Sequence, residues 1–199
     1  MVPKSRWDTE PVFLIGGGPS AGASELGDLR HQGIVVVVNE SGRLLPWADV
    51  LFTADFTWVR RRTAVIQQFA GMVVIAIPPG RPVRYPNVGG RQVVYVERRG
   101  DYNSGLEALY WVAHQGARHV TLLGFDLQRP AYWHGGYPWR NRLRTWATFQ
   151  TWLPHFVVAA QEMTELGITV MNANAQSAIR AFPFCDPPYP KLPPLSERR

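Results

Sequence analysis

The sequence is poor in cysteine and in long apolar runs. It holds one cysteine, Cys185, among 199 residues, so it can form neither an internal disulfide nor a cysteine-based zinc cluster. No stretch approaches the roughly 20 apolar residues that a membrane-spanning helix requires. The first residues also lack the apolar core of a signal peptide. These absences predict a cytoplasmic protein without a membrane span.

Charged residues are also few, and positive residues outnumber negative ones. Charged residues make up 18% of the chain, and the formal net charge is +6. The arginines cluster in residues 60–62, 98–99, 140–144 and 198–199. This balance favours anionic partners such as nucleotides, nucleic acid or acidic lipid, although a solvated basic surface would explain it equally well.

The apolar residues that are present, 46% of the chain, are enough to bury the core of one domain. Short apolar runs predict strands at residues 12–15, 34–38, 50–53, 72–77, 93–96, 119–123 and 168–171. Helical patterns lie between them at residues 21–30, 56–69, 104–114 and 141–166. Ser104 and Glu107 predict a capping box at the start of the third helix. We therefore predict an α/β, Rossmann-like, doubly wound fold with a mainly parallel sheet of about seven strands.

A glycine-rich turn follows the first predicted strand and consists of Gly16, Gly17, Gly18, Pro19 and Ser20. Glycine lets backbone N–H groups approach a phosphate, and a following helix presents its positive end. With Ala21 the letters also satisfy the dinucleotide fingerprint G-x-G-x-x-A, and Glu40 lies roughly where a ribose-binding acid would be. The alternative is a tight strand-to-helix turn that binds no ligand, which the same sequence would also form. The missing G-x-x-x-x-G-K-[ST] motif disfavours a P-loop ATPase.

Polar residues follow three other predicted strands, at the carboxyl ends where parallel α/β sheets bind ligands. They are Asn39, Asp55 and Asp126. The loop after Asp126 carries His134 among aromatic residues, and a histidine can act as a general base near neutral pH. The alternative is that Asp126 caps the sheet edge and His134 is an exposed loop residue.

The order of these motifs resembles that of a known superfamily. Residues 16–20 are followed by Asn39, Asp55, Ser104-Gly105 and then Asp126. The same order occurs in the superfamily that holds the bacterial sialyltransferases of glycosyltransferase family 42. That superfamily also holds the MptE-like proteins, named for 6-hydroxymethylpterin pyrophosphokinases and including flagellin-linked motility accessory factors. Short proteins of this kind also occur in phage genomes. The resemblance covers about residues 12–183.

The resemblance implies roles for individual residues. A nucleotide, cytidine-type in the sialyltransferases, would lie beside the turn at residues 16–20, with Asp55 in the same site. Asn39 matches an asparagine that contacts the nucleotide there, and Ser104 and Gly105 match a Ser-Gly pair that lines it. His134 would be the catalytic base. Independently of the resemblance, the residue type of Asp126 suits holding a hydroxyl or orienting a base.

This chain also departs from the family pattern. The sialyltransferases have an asparagine at the position of Gly17, and their loop between the residues matching Asp126 and His134 is longer. Their C-terminal lid is not recognisable here. The resemblance and the composition together divide the chain into one nucleotide-binding domain, residues 1–181, and a proline-rich tail, residues 182–199.

These observations predict a nucleotide-binding transferase. The first reading is a glycosyltransferase that uses a sugar nucleotide of the CMP-sugar type and requires no metal or other cofactor. The second is a diphosphotransferase of the pterin pyrophosphokinase type, which would require Mg²⁺ held by Asp55 and Asp126. The third is a non-catalytic nucleotide- or nucleic-acid-binding module, and the fourth is an NAD-dependent oxidoreductase. The sequence does not identify the acceptor, and a polyanion such as DNA is one candidate. It also leaves open whether the chain forms a homo-oligomer.

Overall fold

A computed structural model describes residues 2–23, 26–82, 87–128, 132–139 and 142–186. Its strands are β1 (Val12–Ile15), β2 (Ile34–Val38), β3 (Val50–Thr53), β4 (Met72–Ile77), β5 (Asn87–Val88), β6 (Arg91–Gln92), β7 (Val94–Glu97), β8 (His119–Leu123) and β9 (Thr169–Asn172). All except β5 and β6 form one seven-stranded sheet, in which every neighbouring pair is parallel. β5 and β6 form a separate antiparallel pair.

The order of the strands places a switch point between the fifth and sixth strands of the sheet. The order is β7-β4-β3-β2-β1-β8-β9, so the winding reverses between β1 and β8. The last residues of these two strands, Ile15 and Leu123, lie opposite each other in register. The connections that leave a switch point run to opposite sides and open a crevice at the carboxyl ends of the strands.

Helices cover both faces of the sheet. They are α1 (Lys4–Trp7), α2 (Pro19–Ala23), a 3₁₀ helix (Gly27–His31), α3 (Ser41–Leu44), α4 (Phe56–Arg61), α5 (Thr63–Gln68), α6 (Ser104–Gln115) and α7 (Arg142–Glu165). One buried cluster joins α1, α6 and α7 to the sheet, and the second joins the elements from α2 to α5 to its other face. The predicted doubly wound, Rossmann-like fold is confirmed. No helix in the described ranges combines the length and the apolar character needed to cross a membrane.

Strand β1 shows why the apolar runs are continuous. Val12 and Leu14 belong to the cluster under α6 and α7, whereas Phe13 and Ile15 belong to the cluster on the other face. All four side chains are 2% exposed or less. A parallel strand covered on both faces needs apolar residues at every position, which removes the alternation typical of half-exposed strands.

The start of α6 differs from the prediction. Asn103, not Ser104, is the N-cap, and its Oδ1 accepts the N–H of Leu106 at 3.0 Å. The hydroxyl of Ser104 instead accepts the N–H of Ala54 at 3.1 Å, which ties α6 to the end of β3. The Glu107 carboxylate accepts two backbone N–H groups of the preceding loop. The predicted capping box is therefore wrong, because both of its side chains serve other backbone groups.

Two predicted helices are also shaped differently. The helix expected at residues 21–30 is the short α2 followed by the 3₁₀ helix, and the one expected at residues 56–69 is divided at Arg62 into α4 and α5. The long helix α7 is continuous and holds Pro154 inside. Gly116 and Gly167 follow α6 and α7 with φ of 105° and 68°, a conformation that glycine adopts without a Cβ penalty.

The beginning of the predicted tail packs along the edge of the sheet. Phe182 and Cys185 are buried. The N–H of Asn172 donates to the carbonyl of Pro183 at 2.8 Å, and the N–H of Cys185 donates back to Asn172 at 3.1 Å. Residues 182–186 therefore lie along β9. The rest of the tail, residues 187–199, lies outside the described residues, as do Arg140 and the side chains of residues 142–146.

Candidate functional site

A cleft of about 380 Å³ lies at the carboxyl ends of the strands, over the switch point between β1 and β8. Seven of the predicted site residues line it together: Gly16, Gly17, Gly18, Asn39, Asp55, Ser104 and Gly105. The topology brings them together from the ends of β1, β2 and β3 and from the start of α6. The predicted residues that do not line it are Pro19, Ser20, Asp126 and His134.

The glycine turn joins the ends of β1 and β8. The N–H of Gly16 donates to the carbonyl of Leu123 at 2.7 Å, and the N–H of Gly18 donates to Gly124 at 2.8 Å. A Cβ on Gly16 would come within 2.6 Å of the Gly124 oxygen, a distance that real Cβ atoms do not show. The glycines are therefore required for the close approach of the two strand ends.

These hydrogen bonds leave few donors in the turn for a phosphate. Pro19 has no N–H, and the N–H of Ser20 faces Oδ1 of Asp126 at 3.4 Å. In the described part of the chain, only the N–H of Gly17 lacks an acceptor among residues 16–18 and 20. The turn forms one wall of the cleft, but it does not offer the row of free N–H groups that the sequence suggested.

Asp126 lies behind the glycine wall. Its carboxylate accepts the Ser20 hydroxyl at 2.9 Å and the Asn174 side-chain amide at 2.6 Å. Asp126 is 8% exposed, and this burial raises the pKa of its carboxyl. The side chain therefore links the segments that follow β1, β8 and β9, and it presents no atom to the cleft lining.

His134 lies one layer behind the cleft surface. Its ring stacks on Tyr132 with the centroids 5.1 Å apart and contacts Tyr137 at 4.9 Å, and both tyrosines line the cleft. Its Nδ1 lies 3.2 Å from the carbonyl of Gly136, while its buried Nε2 has no partner in the described chain. Burial lowers the pKa of His134 despite the nearby Glu40 carboxylate, which favours the neutral ring.

Asp55 and Asn39 occupy the cleft from neighbouring strand ends. Asp55 supplies the N-cap of α4, and its Oδ1 accepts the N–H of Trp58 at 3.0 Å. Asn39 has a left-handed backbone with φ of 52°, which is uncommon for a residue other than glycine. Its Oδ1 is buried without a partner among the described residues, and so is Nδ2 of Asn103.

Two cations of the cleft, Arg81 and Arg98, were not predicted as site residues. Arg98 directly follows β7, and its N–H donates to the carbonyl of Ile77 at 2.7 Å, which continues the strand pairing by one residue. Its Nη1 lies 3.4 Å from the exposed carboxylate of Asp101. The rule that pointed to Asn39 and Asp55, that ligands bind at the carboxyl ends of strands, would also have found Arg98.

Aromatic rings form a large share of the lining. They belong to Phe56, Tyr102, Phe125, Tyr132, Tyr137, Phe149 and Trp152. Phe149 and Trp152 lie on α7 with their centroids 5.4 Å apart. Their helical spacing is equally typical of core residues, because spacing cannot show that the covered face borders a cleft.

The electrostatics of the cleft favour an anion. Ser104 and Gly105 form the first turn of α6, whose positive end therefore contributes to the lining. Arg81 and Arg98 add two formal positive charges, while Asp55 is the acidic side chain among the described lining residues.

The two carboxylates considered for Mg²⁺ do not meet in this cleft. Asp55 lines it, whereas the carboxylate of Asp126 lies behind the glycine turn and accepts hydrogen bonds from Ser20 and Asn174. Within residues 2–186, apart from the gaps in the description, no group of three or more His, Cys, Asp or Glu side chains could hold a metal ion. The donor set expected for a Mg²⁺-dependent diphosphotransferase is therefore not assembled among these residues.

Comparison with known proteins assigns no family to the chain, because no family model, curated protein or solved structure matches it. The resemblance in motif order to the sialyltransferases and MptE-like proteins stays a prediction.

Proposed function

We propose that the chain binds a nucleoside phosphate in the switch-point cleft and transfers a glycosyl group from a sugar nucleotide without a bound metal ion. The observation that carries this proposal is the composition of the cleft, which combines seven aromatic side chains with two arginines and the positive end of α6. A nucleotide offers a flat base and an anionic phosphate to match them. A volume of about 380 Å³ is also in the range of small-molecule sites.

Arg81 and Arg98 are the groups that would hold the phosphate. A guanidinium donates two parallel hydrogen bonds to phosphate oxygens and stays charged at every physiological pH. Arg98 reaches the cleft from a fixed place, since its backbone extends the β4–β7 pairing. The two arginines would stabilise the charge that develops on the leaving phosphate, the task that a metal ion performs in other transferases.

The transfer itself requires a base close to the acceptor. The acceptor oxygen forms a bond to the anomeric carbon, the bond from that carbon to the phosphate oxygen breaks, and its electron pair leaves with the nucleotide. The proton of the acceptor hydroxyl passes to a base. We assign that role to Asp55, because it is the carboxylate in the cleft lining, whereas His134 lies behind Tyr132 and Tyr137.

Thermal unfolding with a panel of nucleotides tests the proposal. We expect CMP or a CMP-sugar to raise the melting temperature in the presence of EDTA, because a ligand that binds only the folded state stabilises it. Stabilisation by ATP only with Mg²⁺ would instead support diphosphate transfer, and stabilisation by NAD alone would support an oxidoreductase. If no nucleotide shifts the melting temperature, the nucleotide-binding proposal is wrong.

Three variants locate the site. Arg98→Gln should abolish the shift, whereas Arg118→Gln, which removes the same charge from an exposed position before β8, should retain it. Asp55→Asn should keep both the shift and the fold, since asparagine is as good an N-cap as aspartate. Once an acceptor is found, full turnover by Asp55→Asn would show that Asp55 is not the base.

A further inference from the structure

A cluster of arginines lies beside the cleft, on the face of the sheet that α3 and α4 cover. Arg60 and Arg61 end α4, Arg62 follows it, and α3 carries Arg43. Arg43, Arg60 and Arg61 are exposed, and the side chain of Arg62 is 30% exposed. These four residues are named the α3–α4 arginines below.

Shared partners hold three of these arginines, Arg43, Arg61 and Arg62, close together. The fully buried carboxylate of Glu40 pairs with Arg62 and lies 3.4 Å from Nη1 of Arg43. The ring of Trp139 lies under the guanidinium groups of Arg61 and Arg62, at 5.2 and 4.9 Å. Two of the four cations thus pair with a single carboxylate that is itself shielded from solvent, while Arg60 and Arg61 add exposed positive charge.

Two sets of contacts connect the α3–α4 arginines to the cleft. Tyr137, which lines the cleft, packs against Trp139 with the ring centroids 5.1 Å apart. Asp55, which also lines the cleft, caps the other end of α4. Since α4 has six residues, the arginines at its end lie about 9 Å along the helix from the cleft. A long ligand on the arginines would therefore pass close to the opening.

We propose that the α3–α4 arginines bind the phosphate backbone of a nucleic acid, and that this nucleic acid is the acceptor presented to the cleft. The inference rests on the proposed function, because an acceptor requires a donor site. A linear polyanion engages several arginines at once, and guanidinium groups match phosphate geometry. The formal net charge of +6 also favours such a partner.

An acidic lipid surface fits this cluster less well. Peripheral membrane binding combines cations with large apolar side chains that enter the interface. On the described residues of α3 and α4, the large apolar side chain that is exposed is Phe56, and it lies 5.9 Å from the Arg81 guanidinium at the cleft. The arginine surface itself is not bordered by an apolar patch there.

Fluorescence anisotropy with a labelled single-stranded oligonucleotide, measured over a range of salt concentrations, tests the inference. We expect the wild-type protein to bind, with log K falling linearly as log salt rises. The double variant Arg60→Gln/Arg61→Gln should lower the slope by about 0.7 for each arginine and weaken binding roughly tenfold at low salt. Arg62 is left unchanged in this variant because it neutralises buried Glu40.

The matched control is Arg118→Gln/Arg180→Gln. Both arginines are exposed, both donate to backbone carbonyls, and their loss removes the same net charge from other surfaces. We expect this variant to keep the wild-type slope. If the two double variants weaken binding equally, net charge alone attracts the oligonucleotide and the assigned surface is wrong. Binding to anionic vesicles but not to the oligonucleotide would also overturn the inference.

A second readout separates this inference from the proposed function. The CMP-induced thermal shift should survive in Arg60→Gln/Arg61→Gln, because neither arginine lines the cleft. A nucleotide shift without oligonucleotide binding would reject the nucleic-acid acceptor and leave the proposed donor site standing. Oligonucleotide binding without any nucleotide shift would reject the donor site, and with it the role of the nucleic acid as acceptor.

Discussion

Gly18 packs directly against the carboxylate of Asp126. A Cβ on Gly18 would overlap Oδ2 of that carboxylate and would lie 2.7 Å from the carbonyl oxygen of Gly124. A Cβ on the neighbouring Gly17 would meet the ring of Tyr132 at 3.4 Å, an ordinary contact. The two glycines both line the cleft, but only one of them is surrounded too closely to accept a methyl group.

Gly18→Ala and Gly17→Ala should therefore differ in stability. We expect Gly18→Ala to lower the free energy of unfolding by about 1–3 kcal/mol, since the carboxylate and a backbone carbonyl would have to move. Gly17→Ala should stay within about 0.5 kcal/mol of the wild type. Urea unfolding of both variants measures the difference. Equal losses would show that the space around Gly18 does not limit the turn.

The buried carboxyl of Asp126 predicts that the stability of the fold depends on pH. Burial raises its pKa above the unfolded value of about 4, so the folded state binds the proton more tightly. Its contribution to stability is complete below about pH 4 and is lost as the pH rises through the folded pKa. We expect Asp126→Asn, which does not titrate and can keep the Ser20 and Asn174 contacts, to be at least as stable as the wild type at pH 7.

Urea unfolding at several pH values between 4 and 7 tests this prediction. The stability of the wild type relative to Asp126→Asn should fall as the pH rises. A rise over the same range would mean that the hydrogen bonds from Ser20 and Asn174 outweigh the burial of the charge. Asp126→Ala is the contrasting variant, because it removes the acceptor for both partners and should be less stable at every pH.

The buried ring of His134 predicts the opposite pH dependence of stability from that of Asp126. Burial lowers its pKa below the unfolded value of about 6.5, so the unfolded chain takes up the proton first. The stability contributed by the neutral ring is complete above about pH 6.5 and is lost as the pH falls through the folded pKa. Relative to His134→Gln, the wild type should lose stability between pH 7 and pH 5. Parallel stability curves for the two proteins would refute this.

The pair of Arg62 and Glu40 predicts a large effect on stability from one substitution. Among the described residues, Arg62→Met leaves the fully buried Glu40 carboxylate with Arg43 as its ion-pair partner, at 3.4 Å. Removing one partner of a buried ion pair costs about 3–5 kcal/mol. Glu40→Gln in the same protein removes the stranded charge and should restore most of the loss. Chemical unfolding of the single and double variants measures this coupling, and a double variant no more stable than Arg62→Met would contradict it.

The central sheet could be predicted closely from the sequence. The runs at residues 12–15 and 34–38 agree with the bounds of β1 and β2, because strands buried on both faces must be apolar throughout. The elements that were missed are α1, α3 and the pair of β5 and β6, all of which are short. Their formation depends on tertiary contacts that local pattern does not encode.

The cleft could be predicted in part. Gly16–Gly18, Asn39 and Asp55 follow strands, so the carboxyl-end rule places them correctly. His134 lies in a loop whose path depends on where its neighbouring aromatic side chains pack, and Tyr132 rather than His134 reaches the lining. The N-cap of α6 was missed because Asn103 and Ser104 are both good caps, and the choice between them is made by the contact from Ser104 to Ala54.

The position of β1 inside the sheet, between β2 and β8, has a consequence for how the chain folds. β1 pairs with β2 soon after it in the sequence, but its other neighbour, β8, begins at His119. Until α6 and β8 have been synthesised, one edge of an apolar strand has no partner, and unpaired edges of this kind promote aggregation. A chain shortened before residue 119 should therefore be insoluble. The cleft, which needs both strand ends, can form only after β8 has joined the sheet.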